Sequence, residues 1–258
     1  MAHPTEAVYL HDSSLRTLTT EIVSYKPISS LSDDEKSLAK NIGPDDSAIT
    51  TRQTILYPQG GGQPSDTGSI ALADQEPSFV VSLVRKTSDG RIIHFGKLNN
   101  ADSGSFVEGQ SVVQRVDGAR RDYHSRLHTG GHILGVAMDI LMPDMKECKA
   151  NHAPREACLE YEGLLYNEHK PSIQAKVDEL VQQDLSVAVS WLEDGAAAND
   201  RVKFGDGPVR IVSIGGLDQT PCGGTHVERT GLVGPITIRK ITRKGAISKI
   251  SYEVAEKF

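Results

Sequence analysis

Two histidines four residues apart, His128 and His132, stand in the stretch Arg120 to Met142, RRDYHSRLHTGGHILGVAMDILM. On a helix, residues at i and i+4 share one face, so both imidazoles would point the same way and could serve one metal ion. A second pair, Cys222 and His226, sits in TPCGGTHVERTG at CxxxH spacing. Pro221 and the two glycines inside the pair make this segment a loop, which lets a thiolate and an imidazole turn toward one centre. Three nitrogens and one sulfur suit tetrahedral zinc. Cys148 and His152, in CKANHAP, repeat the CxxxH spacing and compete as the partner pair. The glycines beside Cys222 favour Cys222 and His226, because backbone without side chains allows close approach, but spacing alone leaves both pairs open. It also leaves open whether four donors close a structural site or line a catalytic one, where bound water is acidified toward a pKa of about 7. His94, His124 and His169 stand alone and read as surface or packing histidines.

A third stretch, Tyr57 to Gly68, reads YPQGGGQPSDTG. Three consecutive glycines, Gly60, Gly61 and Gly62, followed by Gln63 and Pro64, cannot continue a regular strand, so this is a loop whose backbone can lie against a ligand. Gln63 supplies both a donor and an acceptor there. A plain turn between strands is the competing reading.

The elements that must position these residues follow from periodicity. Leu127, Ile133, Leu134, Val136, Ala137, Ile140 and Leu141 recur at helical spacing and predict one long helix around the first histidine pair. Gly130 and Gly131 each cost a helix interior about 1 kcal/mol relative to alanine, which points to something approaching the helix there. Before that helix the chain is β-rich. The run AITTRQTILYP is a strand candidate that ends at Pro58, residues 78 to 98 read as a hairpin turning at Ser88-Asp89-Gly90, and SVVQRV is a further strand. Residues 1–116 thus read as a small β-barrel carrying the glycine-rich loop, and residues 117–258 as a mixed helix and antiparallel-sheet domain. The expected fold class is α+β. Within the second half, residues 171 to 184 read as a helix, residues 157 to 166, 186 to 193 and 209 to 214 as strands, and the end of the chain as a hairpin around Lys244-Gly245.

The composition of the 258 residues, 38% hydrophobic and 24% charged, argues against membrane and disordered classes. No apolar run approaches the roughly 20 residues that span a bilayer, and MAHPTEAVYLHDSS lacks the basic and then hydrophobic segments of a leader. The cytosol is the expected address. Three cysteines are too few and too odd in number for a disulfide framework. Net charge is −6, yet residues 229 to 258 hold seven basic and two acidic side chains, a local balance of +5. Arg239, Lys240, Arg243 and Lys244, with the arginines of Arg115 to Arg126, are the candidate phosphate contacts.

HTGGH, PCGGTHVERTG and YPQGGGQPSDTG, in combination, resemble the alanyl-tRNA editing proteins, relatives of the editing domain of alanyl-tRNA synthetase, in their medium-length form. The resemblance implies a hydrolase that removes serine, and glycine as a second substrate, from mischarged alanine tRNA, with one zinc ion held by His128, His132, Cys222 and His226. It implies a role in editing for Gln63 and a substrate loop at Gly60, Gly61 and Gly62. The group that tells serine from alanine is expected near Gln63 or Thr54, or within Asn151 to Cys158, where the family pattern does not carry over. HTGGH departs from the family in holding glycine where many members carry alanine. Three other readings stand beside this one: a threonyl-tRNA editing module on the same ligand plan, a zinc-stabilised tRNA-binding protein without catalysis, and a metal-dependent hydrolase of small esters.

Overall fold

The computed structural model describes residues 3–72, 79–99, 106–193 and 208–257. The chain divides into two compact units, residues 1–60 with 64–121, and residues 61–63 with 122–258. The first unit contains β1 (Glu6–Ala7), β2 (Thr17–Pro27), α1 (Asp33–Leu38), β3 (Ser47–Thr51), β4 (Gln53–Thr54), β5 (Gly68–Leu72), β6 (Phe79–Lys86), β7 (Ile92–Leu98) and β8 (Ser111–Val116). Six of these close an antiparallel barrel in the order β2-β3-β7-β6-β5-β8. Inward-facing Ile22, Ile49, Ile70, Phe79, Val81, Val84, Ile92 and Val112 fill its interior. The expected hairpin is β6 and β7, with Gly90 at φ 87° in the turn; Ser78, where that hairpin was expected to begin, lies outside the described residues. Ser32 caps α1 reciprocally with Glu35, which fixes the short helix in what otherwise reads as loop.

The single strand expected over residues 48–58 is instead two short ones, β3 and β4, followed by irregular buried backbone. Side chains take the amides that a ladder would have taken. Ile55 N–H donates to Gln114 Oε1 (3.1 Å), Leu56 N–H to Thr54 Oγ1 (3.1 Å) and Tyr57 N–H to Asp66 Oδ2 (2.7 Å). Asp66 in turn pairs with the fully buried Arg121, whose Nε lies 3.0 Å from Oδ2 and whose Nη1 donates to Ser13 O (2.9 Å). This corrects one expectation about phosphate contacts. Arg121 is wholly inside, and Arg126, 8% exposed, donates to Val233 O (3.0 Å), so neither faces solvent.

The second unit contains α2 (Gly118–Leu141, whose first turn through Arg121 belongs to the first unit), β9 (Lys146–Asn151), β10 (Cys158–Glu162), α3 (Lys170–Gln182), β11 (Val187–Leu192), β12 (Val209–Ile214), β13 (Thr220–Pro221), β14 (Ile236–Lys244) and β15 (Ile247–Val254). Two antiparallel sheets result, β14-β15-β10-β9 and β11-β12-β13. Asp117 starts α2 by accepting the Arg120 amide (3.1 Å), and Pro143 follows its end. Its apolar face packs Leu127, Leu134, Val136 and Met138 into a core shared with Ile173, Val177, Ile236, Ile250 and Tyr252. Ile140, expected on that face, is 49% exposed. The fold is α+β, a barrel followed by helices and antiparallel sheets. No helix among the described residues is long and apolar enough to cross a membrane.

Candidate metal centre

One turn of α2 separates His128 from His132, and their ring centroids lie 5.1 Å apart. The loop after β13 brings Cys222 and His226 to the same point, and one donor atom from each of the four residues lies within 4.8 Å of all the others. Cys222 Sγ stands 3.4 Å from His128 Nε2 and 3.3 Å from His226 Nε2. A tetrahedral ion with bonds of 2.0 to 2.3 Å places its donors about 3.5 Å apart, so this spacing is that of a ligand set. His128 Nε2 and His226 Nε2 thus converge on one sulfur at that spacing. Among the described residues, His132 Nδ1 is buried with no hydrogen-bond partner. The four residues fit zinc in geometry and in donor type.

The surroundings fix which ring nitrogen is free. His128 Nδ1 donates to Gln63 Oε1 (2.7 Å), which leaves the Nε2 lone pair turned toward the sulfur. Gln63 is itself held, since its Oε1 accepts Thr225 N–H (3.1 Å), its Nε2 donates to Thr225 Oγ1 (2.9 Å), and Thr225 Oγ1 lies 2.7 Å from Ser125 Oγ. His226 Nδ1 lies 3.1 Å from Thr129 Oγ1, which also accepts Val227 N–H (3.2 Å). The glycines of CGGTH have a steric reason: a Cβ on Gly224 would stand 2.1 Å from His128 Cε1 and 2.9 Å from Gln63 Oε1. Its amide donates to Cys222 Sγ (3.3 Å), a bond that favours the thiolate.

Burial sets the charge state. Desolvation holds His128 and His226 well below the ordinary histidine range, with neighbouring imidazoles and Arg210 adding to it, and lowers His132 to about 4. It pushes the Cys222 thiol up to about 11. Three neutral imidazoles and a thiol therefore wait for a cation, which would take the thiol as thiolate. The centre is not sealed: with Gly61, Asp139, Glu147 and Asp218, three of its donors, His128, His132 and Cys222, line a cavity of about 340 Å³.

The remaining expected residues are spread over both units. Gly61 lines the cavity, and Gly62 O accepts the His152 amide (2.8 Å). Thr54 belongs to the barrel unit, where its buried hydroxyl meets His94 Nε2 (2.8 Å) and Gln114 Oε1 (3.1 Å). On β14, Lys240, Arg243 and Lys244 are exposed; Arg239 donates to Arg155 O (2.7 Å), and the Arg243 guanidinium lies 4.5 Å over the Tyr166 ring. Of the competing pair, Cys148 is exposed and outside the four-donor cluster, with its Sγ 3.3 Å from Glu160 O. His152 is the residue that spacing misjudged. It is 3% exposed, stacks on His128 at 4.2 Å, and donates Nδ1–H to Tyr252 Oη (2.8 Å). Its CxxxH spacing suggested a ligand, while its place within Asn151 to Cys158 put it in a window expected to hold the serine-selecting group.

Known proteins resemble the chain in both halves. The family described as "Threonyl and Alanyl tRNA synthetase second additional domain" matches residues 209–247, and that described as "tRNA synthetases class II (A)" matches residues 4–120. The alanyl-tRNA editing protein AlaX-L of Pyrococcus horikoshii is 31% identical over 93% of this chain and 55% of its own length. Alanine–tRNA ligase of Pyrococcus abyssi is 33% identical over 81% of this chain and 23% of its own, and that of Leptospira interrogans 31% over 91% and 24%. The chain thus spans about a quarter to a half of the length of these relatives.

Proposed function

We propose that the chain belongs with the alanyl-tRNA editing protein it resembles and is a zinc-dependent deacylase of mischarged alanine tRNA, acting on the serine ester and, second, on the glycine ester. The observation that carries this reading is the four-donor cluster of His128, His132, Cys222 and His226, three of whose members line a cavity and whose His128 is held by Gln63. An aminoacyl ester is already activated, so hydrolysis needs mainly a placed water and a stabilised oxyanion. Water adds to the ester carbonyl, the bond to the terminal ribose oxygen breaks, and that oxygen leaves with a proton as free amino acid departs. Zinc, when bound, supplies positive charge that orients and polarises the reacting oxygens. Gln63 is a positioning residue in this scheme, since it holds the His128 proton on Nδ1 and keeps Nε2 available. Gly61 and its neighbours Gly60 and Gly62 form the loop along which substrate enters.

The tRNA body is proposed to lie along β14, with Arg239, Lys240, Arg243 and Lys244 as its phosphate partners, and the cytosol is the proposed place of action. Replacing Arg239, Lys240 and Arg243 by Gln should weaken tRNA binding and lower the slope of log affinity on log salt by about 0.7 to 0.9 for each phosphate no longer neutralised. An unchanged slope would remove β14 from the interface.

The central test incubates the metal-loaded protein with serine-charged and alanine-charged alanine tRNA, serine-charged threonine tRNA and free serine esters, alongside Cys222→Ala. Loss of serine from alanine tRNA alone, abolished in the variant, supports the reading. Turnover of the threonine tRNA instead would favour the threonyl branch that shares the matched family. Turnover of free esters alone would mean a general esterase, and no turnover with one zinc bound would mean a binding protein.

A further inference from the structure

His152 holds an acceptor in the cavity that none of the surrounding chain satisfies. The Tyr252 hydroxyl donates to Leu127 O (2.9 Å), so its oxygen can only accept from His152 Nδ1 (2.8 Å). Nδ1 therefore carries the imidazole hydrogen and Nε2 carries the lone pair. The ring has no freedom to turn. It lies parallel to His128 within 24°, and a Cβ on Gly131 would stand 2.4 Å from its Cε1 and 2.7 Å from Tyr252 Oη, while one on Gly62 would stand 3.1 Å from its Cδ2. The glycine in the middle of α2 makes room for this ring. His152 is outside the four-donor cluster, it lines the cavity together with His128, His132 and Cys222, and among the described residues Nε2 makes no hydrogen bond.

Resting on the deacylase reading above, we propose that His152 Nε2 is the specificity-determining acceptor for the side-chain hydroxyl of the amino acid to be removed. A fixed acceptor beside the reacting centre takes a hydroxyl donor and gains nothing from a methyl group, which also displaces the water that would otherwise solvate it. Such a group discriminates against the analogue that lacks the hydroxyl, because entry of that analogue leaves a buried polar atom unpaired. Serine is selected over alanine at this point, and the positioning pair behind it is Tyr252 and the Leu127 carbonyl.

The experiment compares wild type, His152→Leu, His152→Gln and Tyr252→Phe, each checked first for one zinc per chain. Two readouts are taken: deacylation of serine-charged and glycine-charged alanine tRNA, and affinity for adenosine carrying seryl, alanyl or glycyl through a 3′-amide that cannot hydrolyse. His152→Leu is expected to lower kcat/KM for the serine ester and affinity for the seryl amide by about tenfold or more, with glycine and glycyl values moving less than about threefold. His152→Gln, which keeps an acceptor, should recover part of the serine preference, and Tyr252→Phe should lose it more mildly. Equal losses on serine and glycine, or no loss on serine, would overturn the assignment. Absence of turnover in wild type together with a His152-dependent preference for the seryl amide would sink the deacylase reading and leave the acceptor standing.

Discussion

His94 in the barrel and His128 at the candidate metal centre are both buried, yet their surroundings differ in one respect that separates a structural histidine from a proposed ligand. His94 has both nitrogens engaged, Nδ1 with Ile49 O (3.0 Å) and Nε2 with the Thr54 hydroxyl (2.8 Å). Gln114 continues that network to Thr51 Oγ1 (2.9 Å) and to the Ile55 amide. Every proton there has an acceptor, and burial simply holds His94 neutral, with its pKa lowered to about 4. At His128 the outer nitrogen is satisfied in the same way, since Nδ1 donates to Gln63 Oε1, but its Nε2 lone pair faces the Cys222 sulfur, and among the described residues the nearby His132 Nδ1 has no hydrogen-bond partner. Burial alone does not mark a functional histidine. What sets this cluster apart is the convergence of donor atoms from four residues at the spacing of a ligand set.

Four changes should sharpen or break that contrast. Cys222→Ala should reduce bound zinc, measured on the purified protein, from one per chain to near zero and lower deacylation by more than about a hundredfold; full activity without zinc would erase the distinction. Gln63→Leu leaves all four donors but removes the acceptor of His128 Nδ1–H, so zinc affinity or turnover should fall by about 10- to 100-fold. An unchanged zinc titration together with unchanged turnover would show that Gln63 orients nothing.

On the barrel side, Thr54→Val should cost about 1 to 3 kcal/mol in denaturant unfolding, since it strands His94 Nε2, and leave zinc content intact. A fall in serine turnover beyond what unfolding explains would instead return Thr54 to the candidates for telling serine from alanine, where the sequence suggests it. The smallest effect concerns pH. His94 has a folded pKa near 4 against about 6.5 when unfolded, so the unfolded chain binds the extra proton between those values. Its contribution is complete above about pH 6.5 and is lost as pH falls toward 4; His132, also near 4, acts with the same sign. Unfolding midpoints followed from pH 7.5 to 4.5 in the zinc-free protein should decline, less steeply in His94→Gln, and parallel curves would rule out the His94 share.

The parts legible in the sequence were those with a local rule. The period of Leu127, Ile133, Leu134, Val136 and Ala137 marks α2, and the alternation of the barrel strands marks the all-β half. Strand β9 escaped because Lys146–Asn151 is polar and sits at a sheet edge with one neighbour, so no apolar alternation records it. The stretch from Ile55 to Tyr57 has strand-like residues, but Gln114, Thr54 and Asp66 capture its amides from up to 59 positions away. His152 stood in a ligand-like spacing and inside the Asn151 to Cys158 window expected to hold the serine-selecting group, but neither singled it out. Its actual partner, Tyr252, is 100 residues later, and no short pattern encodes that hydrogen bond.

Three residues, Gly61 to Gln63, pack with the second unit although the chain on either side of them packs with the first. The metal-binding half is consequently not a portable module. A gene fragment beginning at Asp122 would encode every donor atom and still omit the oxygen that orients His128, so transplanting or duplicating that half by itself would deliver an imperfect copy of the site.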